Sequence, residues 1–308
     1  MSVKAVIDVG TNSVKLLVMS YGEGGPSVLC DLAEIVRLGE GTSRSKLLGR
    51  GAMERTLRVV CEMARSARLF GADEIVAVGT QALREAQNAG EFIERARSGC
   101  RVEIRVISGE EEAALSFEAA LFEMGRLSDR TAVCVFDVGG GSSEIVCGGK
   151  NGVRSRVSLP VGALSLHAAY FKGLSQIRGE VVREACGRVR ALLCEVPESR
   201  AADDSPRIVG VGGTITTLAC VMMGRDLTDH GTISGAELSL SEAEHQIAMY
   251  AATPLAERRL IKGLNPKRAD IILAGACIVR ELLLRMGGES LTVSARGLRY
   301  GVMKKVFG

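Results

Sequence analysis

The chain has 308 residues, 46% of them hydrophobic and 24% charged, with a net charge of +3. That is the balance of a globular protein long enough for two domains, and no charge-free apolar stretch is long enough to span a membrane. A near-neutral charge with no dense basic tract, no tryptophan and 4% aromatics argues against nucleic acid as a partner. The first residues run straight into an apolar strand without the features of a secretory leader, so a cytoplasmic location is expected. The nine cysteines are scattered and never form Cys-x-x-Cys. They predict reduced core residues, with neither a zinc site nor a disulfide framework.

The first predicted element is a strand ending in Asp8-Val9-Gly10, followed by Thr11-Asn12-Ser13 and a second apolar strand through Leu16-Leu17-Val18. A helix follows from Gly49 to Phe70, with Met53, Leu57, Val60, Cys61 and Ala64 on one stripe. Ile75–Val78 is a short buried strand, Thr80 to Arg84 turns into a helix, and Val102–Ile107 is another strand. Ser108 then caps a helix running to about Met124. The polar stretch Gly125–Arg130 marks a boundary, giving an N-terminal domain at 1–126 and a C-terminal domain at 127–308.

The second domain opens by repeating the first device: Val135-Phe136-Asp137-Val138-Gly139-Gly140-Gly141-Ser142-Ser143, then Ile145-Val146-Cys147. Aligning Asp8 with Asp137 sets Lys15 opposite Glu144, so one loop carries a cation where the other carries a carboxylate. A strand around Ser155–Leu159, a helix from about Gln176 to Cys194 and a polar loop at Glu198–Pro206 come next. Ile208–Val211 is a buried strand entering a third glycine turn, Gly212-Gly213-Thr214, that leads into a helix. Helices from about Ser241 and Pro266, a strand at Leu291–Val293 and a closing helix from Gly297 complete an alternating α/β pattern, in which ligands bind at strand ends.

Three glycine turns after strands, two of them an internal repeat, point to phosphate cradles. Glycine allows close backbone approach, and successive amides can face an anion. Thr11, Ser13, Ser142, Ser143 and Thr214 add hydroxyl donors. Asp8 and Asp137 would repel phosphate unless a divalent cation intervened, and magnesium suits a site of few carboxylates, water and substrate oxygens. Of the first-turn glutamates, Glu111 has the capping-box spacing from Ser108, while Glu112 is freer to orient water; physical chemistry alone leaves the choice among Glu110, Glu111 and Glu112 open. Arg84 and Arg268 are candidates for bidentate phosphate binding. His167, His230 and His245 have no spacing that suggests a triad or metal cage, and no serine or cysteine sits in a nucleophile elbow.

In order along the chain, Asp8–Ser13 with Lys15, Thr80–Asn88, Ile107–Ala113, Phe136–Glu144, Gly210–Ala219, Pro266–Asp270 and Gly297–Arg299 resemble the exopolyphosphatase and guanosine pentaphosphate phosphatase family, within the actin-like sugar kinase and Hsp70 superfamily. The resemblance implies two ribonuclease-H-like, actin-like domains with an interdomain cleft, the last helix at about 297–308 returning to the first domain. It implies magnesium-dependent hydrolysis that releases terminal orthophosphate from inorganic polyphosphate. Guanosine pentaphosphate or a short polyphosphate or nucleotide is the alternative substrate, and a superfamily kinase or a non-catalytic alarmone sensor the lesser ones. Carried over residue by residue, Glu112 is the catalytic glutamate, with Asp137 and Glu144 beside the metal and water; Asp8 is a further metal ligand on the strength of its place beside the first loop, with capping of the turn's own amides as the equal alternative. Gly10, Thr11, Asn12, Ser13, Lys15, Arg84, Gly139, Gly140, Gly141, Ser142, Ser143, Gly212, Gly213 and Thr214 fall in phosphate-binding positions. Two departures bear on substrate preference: Ser165 stands where many relatives place arginine, and Tyr300 where glutamate often follows Gly-Leu-Arg. Longer relatives add C-terminal helical domains, so a chain of two core domains is expected here, with a homodimer as the assembly the reading allows.

Overall fold

The computed structural model describes residues 2–124, 132–149, 152–194, 206–225 and 233–308. The boundary expected at Gly125–Arg130, most of the Glu198–Pro206 loop and His230 lie outside the described residues. The chain divides into two compact units, Met1–Leu115 together with Leu298–Gly308, and Ser116–Gly297.

The first unit is built on a five-stranded sheet: β1 (Ser2–Val9), β2 (Ser13–Gly22), β3 (Gly25–Ile35), β4 (Glu74–Gly79) and β5 (Ile104–Val106), in the order β3-β2-β1-β4-β5. β1, β2 and β3 form an antiparallel meander, while β4 and β5 run parallel to β1. Alternation along β1 sorts the two faces. Ala5, Ile7 and Val9 pack with Met53, Leu57 and Val60 of α2 (Arg50–Leu69) and Phe92 and Ala96 of α4 (Ala89–Cys100). Val6 and Leu17 face the other way, onto Ile107, Leu115 and Leu298, Val302 and Met303 of the final helix (Leu298–Phe307). Two short helices, α1 (Thr42–Ser45) and α3 (Gln81–Glu85), and α5 (Gly109–Met124) precede the second sheet.

The second unit repeats the plan. Its strands are β6 (Val133–Val138), β7 (Ser143–Gly149), β8 (Gly152–Leu159), β9 (Arg207–Val211), β10 (Glu237–Ser239) and β11 (Ser290–Val293), in the order β10-β11-β9-β6-β7-β8. Read from β8, the order β8-β7-β6-β9-β11 matches that of the first unit, with the same antiparallel meander and parallel extension. β10 is an extra antiparallel edge. The doubled order bears out the two related halves expected from the repeated hairpin, and it is the actin-like, two-domain α/β architecture that the family resemblance implies. Phe136, Ile145 and Leu159 pack with Leu166 of α6 (Ala163–Tyr170), Val189 of α7 (Gly179–Leu193), Leu218 of α8 (Gly212–Met223) and Leu273 and Ile278 of the long helix Ile272–Met286. That helix is α11, preceded by α9 (Leu240–Ala252) and α10 (Leu255–Arg258); the final helix is α12.

Three expectations are corrected. β3 carries no regular apolar alternation, since most of it is exposed at the sheet edge, and the sequence reading passes over it. The segment at Pro266 is a single 3-10 turn, Pro266–Arg268, capped by Asn265 Oδ1 on the Lys267 amide at 2.9 Å, and the α-helix begins at Ile272. The cysteines are not all reduced, because Cys61–Cys100 and Cys134–Cys147 are disulfides; the other five form none. The fold creates both pairs: Cys134 and Cys147 are direct partners across β6 and β7, with Cα atoms 4.2 Å apart, and the packing of α2 on α4 brings Cys61 and Cys100 to 4.7 Å. Among the described residues no helix is long and apolar enough to cross a membrane.

Candidate active site

The first two glycine turns are copies in atomic detail. Gly10 N donates to Ser13 O at 3.0 Å, and Gly139 N donates to Ser142 O at 3.0 Å. Each turn is braced by the segment after its meander. In the first, Val36 and Arg37 amides donate to Asn12 O at 2.9 Å and Gly39 N to Thr11 O at 2.9 Å. In the second, the opening amides of α6 serve: Ala163 N donates to Gly139 O at 2.9 Å and Leu164 N to Gly140 O at 2.7 Å. A helix start has amides with no intrahelical acceptor, and the turn's carbonyls satisfy them. Ser165 fits this local job, since its Oγ accepts from Gly162 N at 2.9 Å and lies 3.3 Å from Gly141 O.

Charge separates the two copies as the alignment suggests. Asp8 is the direct cross-strand partner of Lys15, and Lys15 Nζ reaches Asp8 Oδ2 at 3.1 Å. Asp137 is the direct partner of Glu144. The first hairpin therefore pairs its aspartate with a cation, and the second sets the half-buried Asp137 opposite the buried Glu144, two like charges side by side. Asp137 Oδ2 accepts from Ser116 Oγ at 3.2 Å and Glu144 Oε1 from Ser158 Oγ at 2.9 Å, which fixes the orientation of both. Among the described residues no group of three or more His, Cys, Asp or Glu side chains is placed to hold a metal. Two carboxylates completed by water and phosphate oxygens still fit magnesium, which seldom uses an all-protein cage.

In the first turn, Asn12 is 5% exposed, and its amide nitrogen and oxygen, like Asp8 Oδ1, have no hydrogen-bond partner among the described residues. Buried polar atoms in this state are costly unless a ligand or water completes them. Ser143 behaves otherwise: it is fully buried and donates to Val161 O at 2.6 Å, so its hydroxyl ties the hairpin to the next segment. The third turn sits at the end of β9. Gly212 adopts φ +90°, and a Cβ there would stand 2.3 Å from Asp137 Oδ1. Thr216 and Thr217 hydroxyls donate back to Gly212 O at 3.1 Å and Gly213 O at 2.6 Å, while Thr214 is buried.

The structure distinguishes the three first-turn glutamates of α5. Glu110 is exposed. Ser108 Oγ accepts from the Glu111 amide at 3.0 Å, the expected cap, but the Glu111 carboxylate is held by both Arg105 Nη atoms at 3.0 Å and by Lys305 at 3.3 Å. The Arg105 hydrogen bonds, reinforced by Lys305, hold Glu111 below the usual carboxylate range. Glu112 is 8% exposed, and its Oε2 accepts from Arg84 Nη1 at 2.7 Å. That pairing of Arg84 with a glutamate 28 residues away carries no sequence signal. Also missed was Asp31 on β3, which receives Arg299 through two bonds of 2.7 Å and the Tyr300 hydroxyl at 2.8 Å. Burial opposes the charge on Arg299, but Asp31 outweighs it and holds the guanidinium above its usual value. Tyr300 thus joins a carboxylate supplied by β3.

Residues 17–307 match the Ppx/GppA phosphatase family. The solved structure of the PPX-GPPA enzyme of Aquifex aeolicus shares 31% identity and a TM-score of 0.80, covering 99% of each chain. An exopolyphosphatase from Cytophaga hutchinsonii is 25% identical, with a TM-score of 0.88 over 99% of this chain and 97% of that one. A bifunctional 3-dehydroquinate synthase/phosphatase of Fusobacterium nucleatum is 29% identical over 301 residues, 94% of this chain but only 44% of the relative, so the chain spans less than half of that protein's length. With a family match from the second strand to the last helix, and the repeated Asp-Val-Gly turns in place, the chain belongs to the Ppx/GppA phosphatase family.

Proposed function

We propose that the protein is a phosphoanhydride hydrolase that releases terminal orthophosphate from inorganic polyphosphate, with guanosine pentaphosphate or short polyphosphate as the alternative substrate. The observation that carries the reading is the buried Glu112 carboxylate, oriented by Arg84 at the start of α5. Family membership and the likeness to an exopolyphosphatase support it.

In this reading the amides of the three glycine turns, Lys15 and the unpartnered Asn12 amide bind phosphate oxygens. Glu112 accepts a proton from water as it attacks the terminal phosphorus in line with the leaving bridging oxygen. Asp137 and Glu144 would hold magnesium, which when bound supplies charge neutralisation for the phosphate oxygens. Phosphoryl transfer asks the protein mainly for positioning and charge stabilisation, which loops, cations and one carboxylate can provide. Nothing in the set requires a covalent intermediate.

The test compares orthophosphate release from tripolyphosphate, long polyphosphate, guanosine pentaphosphate and ATP, with magnesium and after its chelation, for the native protein and Glu112→Gln. Release from polyphosphate that needs magnesium and falls by about 10²–10⁴-fold in the variant is expected. Near-native turnover by Glu112→Gln sinks the assignment. Consumption of ATP only with an acceptor, without orthophosphate release, would make the protein a kinase.

A further inference from the structure

The third glycine turn is held by a network that the proposed mechanism does not use. Gly213 has no side chain because another residue occupies the space: a Cβ there would lie 2.3 Å from Arg268 Nη2 and 2.8 Å from its Cζ, so the guanidinium rests against the Gly213 α-carbon. Arg268 sits at the end of the 3-10 turn and is 9% exposed. Beyond its Asn265 cap, the end of that turn is tied down by Arg258, the last residue of α10, itself 4% exposed. Arg258 Nη1 donates to Ala269 O at 3.1 Å, and Nη2 donates to Tyr250 O at 2.5 Å and Thr253 O at 3.0 Å.

The carbonyls at the end of α9 have no intrahelical donor, and a planar fork with five N–H groups can serve several acceptors at once. The same helix also reaches the body of α8. Tyr250 donates from its hydroxyl to Gln246 Oε1 at 2.8 Å, and Gln246 Nε2 donates to Leu218 O at 2.9 Å, all three residues being fully buried. Arg258 therefore stands where two arms meet. One runs through Tyr250 and Gln246 to the helix that follows the turn, the other through Ala269 and Arg268 to Gly213.

Stability alone gives a poor reason for this residue. Its Nε is buried without a partner among the described residues, and burial lowers the guanidinium pKa from its usual value. An apolar side chain of similar size would avoid both costs. We propose that Arg258 is a positioning residue for the third glycine turn: by clamping Ala269 to the end of α9 it sets Arg268 on Gly213 and fixes where the Gly212–Thr214 amides meet a phosphate group. The inference rests on the reading of that turn as phosphate-binding. An error of about 1 Å in such a cradle is enough to weaken productive binding about a hundredfold.

A double-mutant cycle tests it, using Arg258→Met, Arg268→Met and the pair. The readouts are kcat and KM for tripolyphosphate with magnesium and, independent of turnover, the dissociation constant for orthophosphate. Arg258→Met is expected to raise KM and the orthophosphate constant about tenfold, with kcat falling less. In the Arg268→Met background the same change should add no more than about twofold, because both act through one contact. Arg190→Met, which removes an ion pair to Glu281 between α7 and α11, is the control for simple loosening of this unit: its Tm should fall while KM holds. If Arg258→Met does not fold, Arg258→Gln, which keeps one amide donor, replaces it in the cycle. A lowered Tm with unchanged KM and orthophosphate binding, or effects that multiply in the double variant, overturns the proposal. Those outcomes leave the hydrolase reading standing if Glu112→Gln is still inactive, whereas an active Glu112→Gln removes that reading whatever Arg258 does.

Discussion

Arg84 Nη1 donates to Oε2 of Glu112 at 2.7 Å and to the Ile107 carbonyl at 3.0 Å, so a residue expected to grip phosphate also holds the carboxylate expected to act as base. The Ile107 contact anchors the guanidinium to the segment just before α5, and the carboxylate is aimed by a rigid, planar fork. Arg84→Met should lower kcat by about a hundredfold through loss of that orientation. If Arg84 also touches substrate, KM will rise together with the fall in kcat. A variant with native kcat would show that Glu112 needs no such partner.

Gly212→Ala meets two obstacles at once. Its φ of +90° is disfavoured for any side chain, and the new Cβ would crowd Asp137 Oδ1 at 2.3 Å. The backbone strain alone should cost about 1–3 kcal/mol in urea unfolding, and displacement of Asp137 should raise the magnesium concentration needed for half-maximal activity. Unchanged stability together with unchanged magnesium dependence would mean the turn relaxes away from Asp137.

Asp31 is the counter-charge for Arg299, with both side chains nearly buried, at 9% and 7% exposure. Asp31→Ala leaves a buried guanidinium with only the neighbouring groups of the sheet to compensate it, and should cost about 3–5 kcal/mol. Tyr300→Phe removes one neutral donor from the same carboxylate and should cost about 1 kcal/mol. Equal losses for the two variants in thermal or denaturant unfolding would refute this ranking.

The two disulfides close loops of 39 and 13 residues. Under the chain-entropy account the longer contributes about 4 kcal/mol and the shorter about 3 kcal/mol, so reduction should lower Tm sharply and Cys61→Ser should cost more than Cys147→Ser. Thiol titration of the unfolded, unreduced protein should find five reactive groups, rising to nine after reduction. Nine at the outset would mean that the pairs are not oxidised.

Glu111 ties α5 to β5 and α12 through Arg105 and Lys305, and its folded pKa is lowered chiefly by the Arg105 hydrogen bonds. A lowered folded pKa contributes stability that is complete above the ordinary glutamate value and lost as pH falls through the lowered one. Glu111→Gln should therefore flatten the decline in Tm on acidification through that window and leave stability above it reduced. Parallel curves for the two proteins would show that the pair is solvent-screened into irrelevance.

The hairpins were legible because apolar runs, Asp-Val-Gly and small residues recur with little variation, and local chemistry alone dictates such turns. The repeated strand order followed from them, since each meander recruits the next parallel strands on one edge. β3 was not legible: its residues from Gly25 to Leu29 are exposed at an edge, where no alternation is required. The partners of Glu112 and Asp31 were equally hidden, because each is set by packing between segments far apart in sequence, whereas the Cys134–Cys147 pairing follows from the register of a single hairpin. The choice among Glu110, Glu111 and Glu112 needed the fold as well, since only burial and Arg84 separate them.

The first unit is discontinuous, with the helix Leu298–Phe307 covering one face of a sheet that begins at residue 2. Val6, Leu17 and Val78 find Val302 and Met303 only after the whole second unit has been synthesised. On the ribosome, the nascent first sheet must wait with one greasy face bare while an entire domain emerges behind it. Such a chain should lean on trigger-type chaperones during translation, and its second unit should be the first to resist protease.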